Sequence, residues 1–361
     1  MAVSQQHRFV ALDGLRGIAA FAVALMHTGE MTRPDNPTVF PAALAVDFFF
    51  MLSGFVLAFA YFERLEHGLS WSSFMRARIV RLYPLIPVGV LLGAIISLAK
   101  QHVQGVPVPG EGPADIPTTL LMLPAGLWQP RPTPNFTFDP PIWSLFFEFL
   151  ASALFATRLR RMKGLSLLAW MLAFAVLDAA VTAIRVTGNY IEDGGLLSLL
   201  MNVPRTAFAF TFGVAVYRSG IWMKAPRAPI AITALVLGVL LLIPGENGSA
   251  YGVAVLLLAF PAILMVGAVA EPHGLMRRLC EWAGNLSYPL YILHYPVARA
   301  AVYVLKSRIA DTHVQTALAL VFSILTSWAL LKLYDEPVRR RLQSWRPRHS
   351  STVKIVTSQQ P

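Results

Sequence analysis

The sequence predicts an all-α polytopic membrane protein of about ten transmembrane helices with both termini on the cytoplasmic side. Three observations carry that prediction. Of 361 residues, 56% are hydrophobic and only 14% charged, and the mean hydropathy is +0.57, a balance that a water-soluble globular fold does not show. Apolar stretches long enough to cross a hydrocarbon layer recur along the whole chain. Lysine and arginine gather between alternate stretches, as the positive-inside rule requires.

Taken in order, the stretches lie near 9–28, 41–61, 79–99, 141–157, 164–185, 195–217, 226–243, 251–270, 283–304 and 313–335. Residues 1–8, MAVSQQHR, are short and polar, with no small-residue cleavage site after the first apolar run, so the first helix is expected to be retained. With the N-terminus inside, the inner segments hold 20 of the 30 Lys and Arg. The formal charge of +11 would suggest a nucleic-acid partner in a soluble protein, but here its distribution reads as topology and no nucleic acid is expected. The single cysteine, Cys280, excludes intrachain disulfides and thiolate metal clusters. Between 100 and 141 the chain carries ten prolines and the short apolar piece TTLLMLPAGLW (118–128). This is either a connector or an outer-face loop with an interfacial or re-entrant segment that binds. The chain divides into a transmembrane domain over 1–345 and a cytoplasmic tail over 346–361 that is expected to be disordered. There is no internal repeat of the kind common in transporters.

Ionisable groups within a bilayer are expensive, about 2.5–3.5 kcal/mol each on insertion scales, so each is a functional-site hypothesis. Arg16 and His27 are 11 residues apart in LDGLRGIAAFAVALMH. That spacing puts them on one helix face about 16 Å apart. One helix then joins an inner cation to an outer imidazole, unless Arg16 merely snorkels to headgroups and His27 caps the end. Arg78 and Arg81, at i and i+3 in RARIVRLYPL, form a fork of cations at the inner end of the third helix. The fork suits a phosphorylated ligand or, alternatively, plain topological anchoring. Asp47 and Glu148 each lie six or seven residues inside helices entering from the outer face, ~10 Å deep and near the level of His27. A carboxylate beside a histidine fixes its tautomer and raises its basicity, which a base acting on an alcohol needs. Asp178 and Arg205 have similar mid-membrane depths and are expected to pair. His294 either faces the same cavity or hydrogen-bonds a neighbouring helix.

LDGLRGIAAFAVALMH, VDFFFMLSGFVLA, RARIVRLYP, IWSLFFEF, LSYPLYILHYPV and YDEPVRRRL, in this order, resemble the integral-membrane acyltransferase-3 family of O-acyltransferases across nearly the whole chain. The resemblance implies a ten-helix enzyme of the bacterial cytoplasmic (inner) membrane. It implies acetyl-CoA or another acyl-CoA as donor. The implied acceptor is a hydroxyl of an exopolysaccharide, O-antigen or other cell-envelope glycan, or of a lipid-linked saccharide, with polysaccharide-biosynthesis proteins as possible partners. It gives catalytic roles to His27, Glu148 and Arg16, and donor-side roles to Arg78, Arg81 and Asp13. Asp47, Trp128 and His294 complete the candidate site on the acceptor side, Trp128 because an aromatic face suits a sugar ring above His27. His27 would act either as a general base or as a transient acyl-imidazole. No metal is needed. Two alternatives stand beside this: an acyltransferase of a small hydroxylated metabolite such as a macrolide, and a non-enzymatic transporter using a His–carboxylate relay.

Overall fold

A computed structural model describes residues 8–35, 41–108, 111–124, 135–186, 195–243 and 250–344. Trp128 and the tail 346–361 lie outside them. Among the described residues the secondary structure is helical, with no strand. Eight helices are long and apolar enough to cross a membrane, and a shorter apolar one spans Ile230–Leu242.

The first span, α1, is Val10–Thr32. A 3₁₀ turn at Pro41–Leu44 leads into α2, Ala45–Glu66. The third expected span divides in two. Its first part belongs to a separate polar helix, α3 (Trp71–Leu82), capped by the Ser70 hydroxyl, which accepts from the Ser73 N–H at 3.2 Å. Pro84 has no N–H to continue it, and α4 restarts at Ile86 and runs to Gln104. Arg78 and Arg81 therefore sit on a short helix ahead of the membrane span, a correction to the expected placement. A short α5 (Ile116–Leu120) precedes α6 (Ile142–Thr157). Then come α7 (Gly164–Val186), α8 (Gly195–Ser219) and α9 (Ile230–Leu242). α10 (Ala250–Ala254) continues through a π turn into α11 (Phe260–Val269). α12 (Gly274–Leu305) contains Pro289 and Pro296, and α13 is Thr312–Leu330. The carboxylate of Asp311 caps α13 by accepting from the N–H groups of His313 at 2.7 Å and Val314 at 3.2 Å. These backbone donors at Val314 and His313 hold its carboxyl below the usual carboxylate range. A π turn leads to α14, Glu336–Ser344.

Lipid does not drive apolar helices together, so close approach of backbones must. α1 lies parallel to α12 with small residues between them: a Cβ at Gly284 would meet the Cβ of Asp13 at 2.5 Å. α2 and α8 meet in the same way, Gly54 against the Phe210 carbonyl and Gly213 against that of Met51. Thr32 on α1 and Thr316 on α13 share a hydroxyl hydrogen bond at 2.8 Å. α7 does the opposite and turns Leu165, Leu172 and Val176 outward, as a helix whose apolar side is solvated by lipid does. The end of the bundle that holds the start of α1, the end of α2 and all of α3 is its basic face.

The described parts of the proline-rich segment beyond α4, 105–108, 111–124 and 135–140, lie back against that helix. Leaving α4 at Gln104, the chain comes back alongside it: Ser97 donates to Glu111, and Tyr83, just ahead of α4, donates to the Leu120 carbonyl at 3.0 Å. Phe138 and Asp139 then pack on Gly93 and Gly89. As a result α6 begins inside the bundle, where Ser144 bonds the hydroxyl of Tyr291 at 2.7 Å.

Candidate functional site

The basic face opens into a cavity of about 1360 Å³ lined by seven arginines and only three carboxylates. α1 supplies its first wall. Asp13 bridges two cations, accepting from Arg8 at 2.6 Å and from Arg16 at 2.8 Å. Arg16 also donates to Ser287 at 2.9 Å and to the Gly284 carbonyl at 3.1 Å, so the close α1–α12 contact is what holds this guanidinium against the cavity. α3 and α6 supply the facing wall. Arg78, 4% exposed, pairs with Glu148, which also accepts from the Ser53 hydroxyl at 2.9 Å. Arg81 lines the same space and makes no hydrogen bond among the described residues.

This arrangement revises two expectations. Glu148 does not lie near the outer end of its helix at the level of His27. Because α6 starts inside the bundle, six residues bring Glu148 to the basic side, where its charge acts on Arg16 as well as on Arg78. The partners it bonds are Arg78 and Ser53, not an imidazole.

At its deep end the cavity reaches Phe49, Ser144 and Tyr291. The Tyr291 ring meets Phe49 edge-on at 5.4 Å and lies 6.1 Å from the ring of His294. Beyond that layer His27 and His294 face each other, Nδ1 to Nε2 at 2.9 Å, with rings nearly parallel at 8° and 5.2 Å apart. Tyr295 stands edge-on to His27 at 5.7 Å. His294 is wholly buried, and neither histidine lines the cavity. Of the two readings open for His294, the structure shows the hydrogen bond to a neighbouring helix.

Asp47 is engaged elsewhere. Both of its oxygens accept from Arg205, at 2.5 and 2.8 Å, and Arg205 also donates to the Ala43 carbonyl at 2.7 Å. The arginine expected to pair with Asp178 is thus bonded to Asp47, while Asp178 adds its charge from α7. Near the end of α12 farthest from the basic face, Arg299 grips Glu111 with two bonds of 3.0 and 2.9 Å, pinning the proline-rich segment.

Sequence reasoning missed Ser53, Ser144, Ser287 and Tyr291. A signal for two of them exists: Gly284, Ser287, Tyr291 and His294 recur at steps of three, four and three, which is one helix face.

A family described as an acyltransferase domain matches residues 9–332. A Rhizobium radiobacter protein named protein 2 in the picA locus is 36% identical over 167 residues, 43% of this chain and 85% of that protein. The acyltransferase MdmB of Streptomyces mycarofaciens is 27% identical over 330 residues, 81% of this chain and 79% of that one. An O-acetyl transferase of Shigella phage Sf6 is 21% identical over 349 residues, 90% of this chain and 96% of that one. No solved structure matches.

Proposed function

The chain belongs to the acyltransferase-3 family of membrane O-acyltransferases, and from that premise we propose that its donor is an acyl-CoA, acetyl-CoA first of all, taken from the cytoplasm. We propose as acceptor a hydroxyl of an exopolysaccharide, O-antigen or other glycan of the cell envelope. The observation that carries this reading is the cavity: seven arginines in its lining, and at its deep end a tyrosine beside a buried histidine pair. An acyl-CoA has the same polarity along its length, anionic at the nucleotide and reactive at the far end of a long arm. The relative from Shigella phage, named an O-acetyl transferase, supports the acetyl group.

In this reading the roles divide by position. Arg81, whose guanidinium has no hydrogen bond among the described residues, and Arg78, held in place by Glu148, bind phosphate through charge-assisted bonds. Arg16, fixed between Asp13 and Ser287, extends that field one helix further in. His27 is the base. As the acceptor oxygen attacks the thioester carbonyl, its proton passes to His27; the carbon–sulfur bond breaks, and the CoA thiolate takes the proton as the ester forms. The layer of Ser144 and Tyr291 lies between the cavity and the histidines, so the thioester reaches His27 only when that hydrogen bond opens.

The test is transfer from radiolabelled acetyl-CoA by protein purified in detergent. His27→Ala is expected to lower turnover by about 10²–10⁴-fold, the range for a general base, while the variant elutes as a folded monodisperse species. Wild-type turnover in that variant would remove His27 from the chemistry.

A further inference from the structure

We infer that His294 is a positioning residue: its bond to the α1 histidine fixes which nitrogen of His27 carries the lone pair, and makes that nitrogen Nε2. The inference rests on His27 being the base, as proposed above, and follows from one chain of hydrogen bonds. The Nδ1 of His294 lies 2.9 Å from the Leu290 carbonyl oxygen. A carbonyl can only accept, so that nitrogen carries a proton. Among the described residues no carboxylate bonds to either ring, and a wholly buried imidazole without a counter-charge is neutral. The other nitrogen of His294, Nε2, therefore has the lone pair and accepts. It faces Nδ1 of His27 at 2.9 Å, so Nδ1 of His27 donates. A neutral His27 is then left with its lone pair on Nε2, the only nitrogen able to take a proton from an alcohol or attack a thioester.

The surroundings hold this arrangement. His294 is pinned by its own helix one turn back at Leu290 and flanked by the Tyr291 ring. The near-parallel rings leave little freedom to reorient. A free histidine side chain prefers the opposite tautomer, with the proton on Nε2, so without His294 the reactive nitrogen would mostly be blocked. The expectation that a carboxylate orients His27 is replaced by a neutral ring that takes its orientation from a backbone carbonyl. A neutral partner costs less to bury in a bilayer than an ion does.

Protein labelled with ¹⁵N-histidine in lipid nanodiscs tests the assignment directly. The wild-type spectrum is expected to show His27 protonated on Nδ1 and bare on Nε2. His294→Leu is expected to move that proton to Nε2 and to lower kcat by about 10²-fold or more, with the KM for acyl-CoA unchanged. His294→Gln places an amide oxygen where the accepting nitrogen was and is expected to restore the Nδ1–H form and most of kcat. This variant keeps the test decisive if the leucine variant does not fold. A wild-type His27 protonated on Nε2, or wild-type kcat in a folded His294→Leu, overturns the inference. Full activity of His27→Ala would instead overturn the reading on which it rests, and leaves the spectrum as expected.

Discussion

Arg205 and Asp47 join α8 to α2, and Arg78 and Glu148 join α3 to α6. Both are buried arginine–carboxylate pairs between helices. In the first, the Asp47 side chain is 2% exposed and both its oxygens are taken by one guanidinium. In the second, the carboxylate is 20% exposed, uses one oxygen for two donors, and faces a cavity rich in further cations. The closed pair spends both carboxylate oxygens on one guanidinium and ties two helices together. The open pair holds an arginine rigid at the edge of a space that a phosphate can enter. Chemistry alone does not separate the two; access does.

Removing half of each pair sharpens the contrast. Arg205→Ala leaves Asp47 as an uncompensated buried charge and is expected to destabilise the protein by about 3–5 kcal/mol. Thermal unfolding in detergent reads this, and the fraction that remains folded should bind CoA normally. Next in size, Arg81→Ala is expected to lose about 1.5–3 kcal/mol of CoA affinity, the worth of a hydrogen bond to a charged group, with an unchanged unfolding temperature. Arg78→Ala should weaken CoA similarly, measured by calorimetric titration. Equal CoA affinity in wild type and both variants would assign α3 to topology alone. The smallest effect belongs to a pair that does not line this cavity: Arg277 and Glu281, 60% and 35% exposed on α12. Arg277→Ala is expected to cost about 0.3–0.5 kcal/mol and to leave transfer kinetics untouched; a larger loss there would break the ordering by access.

Much of this architecture was legible in the residues. Nine of the ten apolar stretches each overlie one continuous helical run with shifted ends, though α9 is short and α12 is not among the eight helices apolar enough to cross a membrane. The tenth, 79–99, divides at Pro84. The common face of Arg16 and His27 was legible too, since both lie on one helix of fixed pitch. Partners across helices were not. Asp47 and Asp178 are both within reach of Arg205 by depth, and nothing in the spacing says which one it bonds. The depth of Glu148 was misjudged because it depends on where α6 begins, and that is set by the proline-rich segment that carries the chain back along α4. His294 was visible only as a polar residue in mid-helix; its pairing with His27 depends on α1 and α12 being parallel and close.

The cavity that runs from the basic face to Ser144 and Tyr291 also has an electrical consequence. Water and counterions in an open polar vestibule conduct, so its floor sits near the potential of the compartment it opens to. The membrane voltage then falls mainly across the packed layer beyond, where His27 and His294 lie. A unit charge crossing that layer would do or absorb about 2.3 kcal/mol of work per 100 mV. In the proposed reaction the acyl group passes to the acceptor as the acceptor's proton passes to the CoA thiolate, so no net charge crosses the layer. The overall exchange then requires no electrical work, and the equilibrium extent of transfer in vesicles should be the same at any imposed potential.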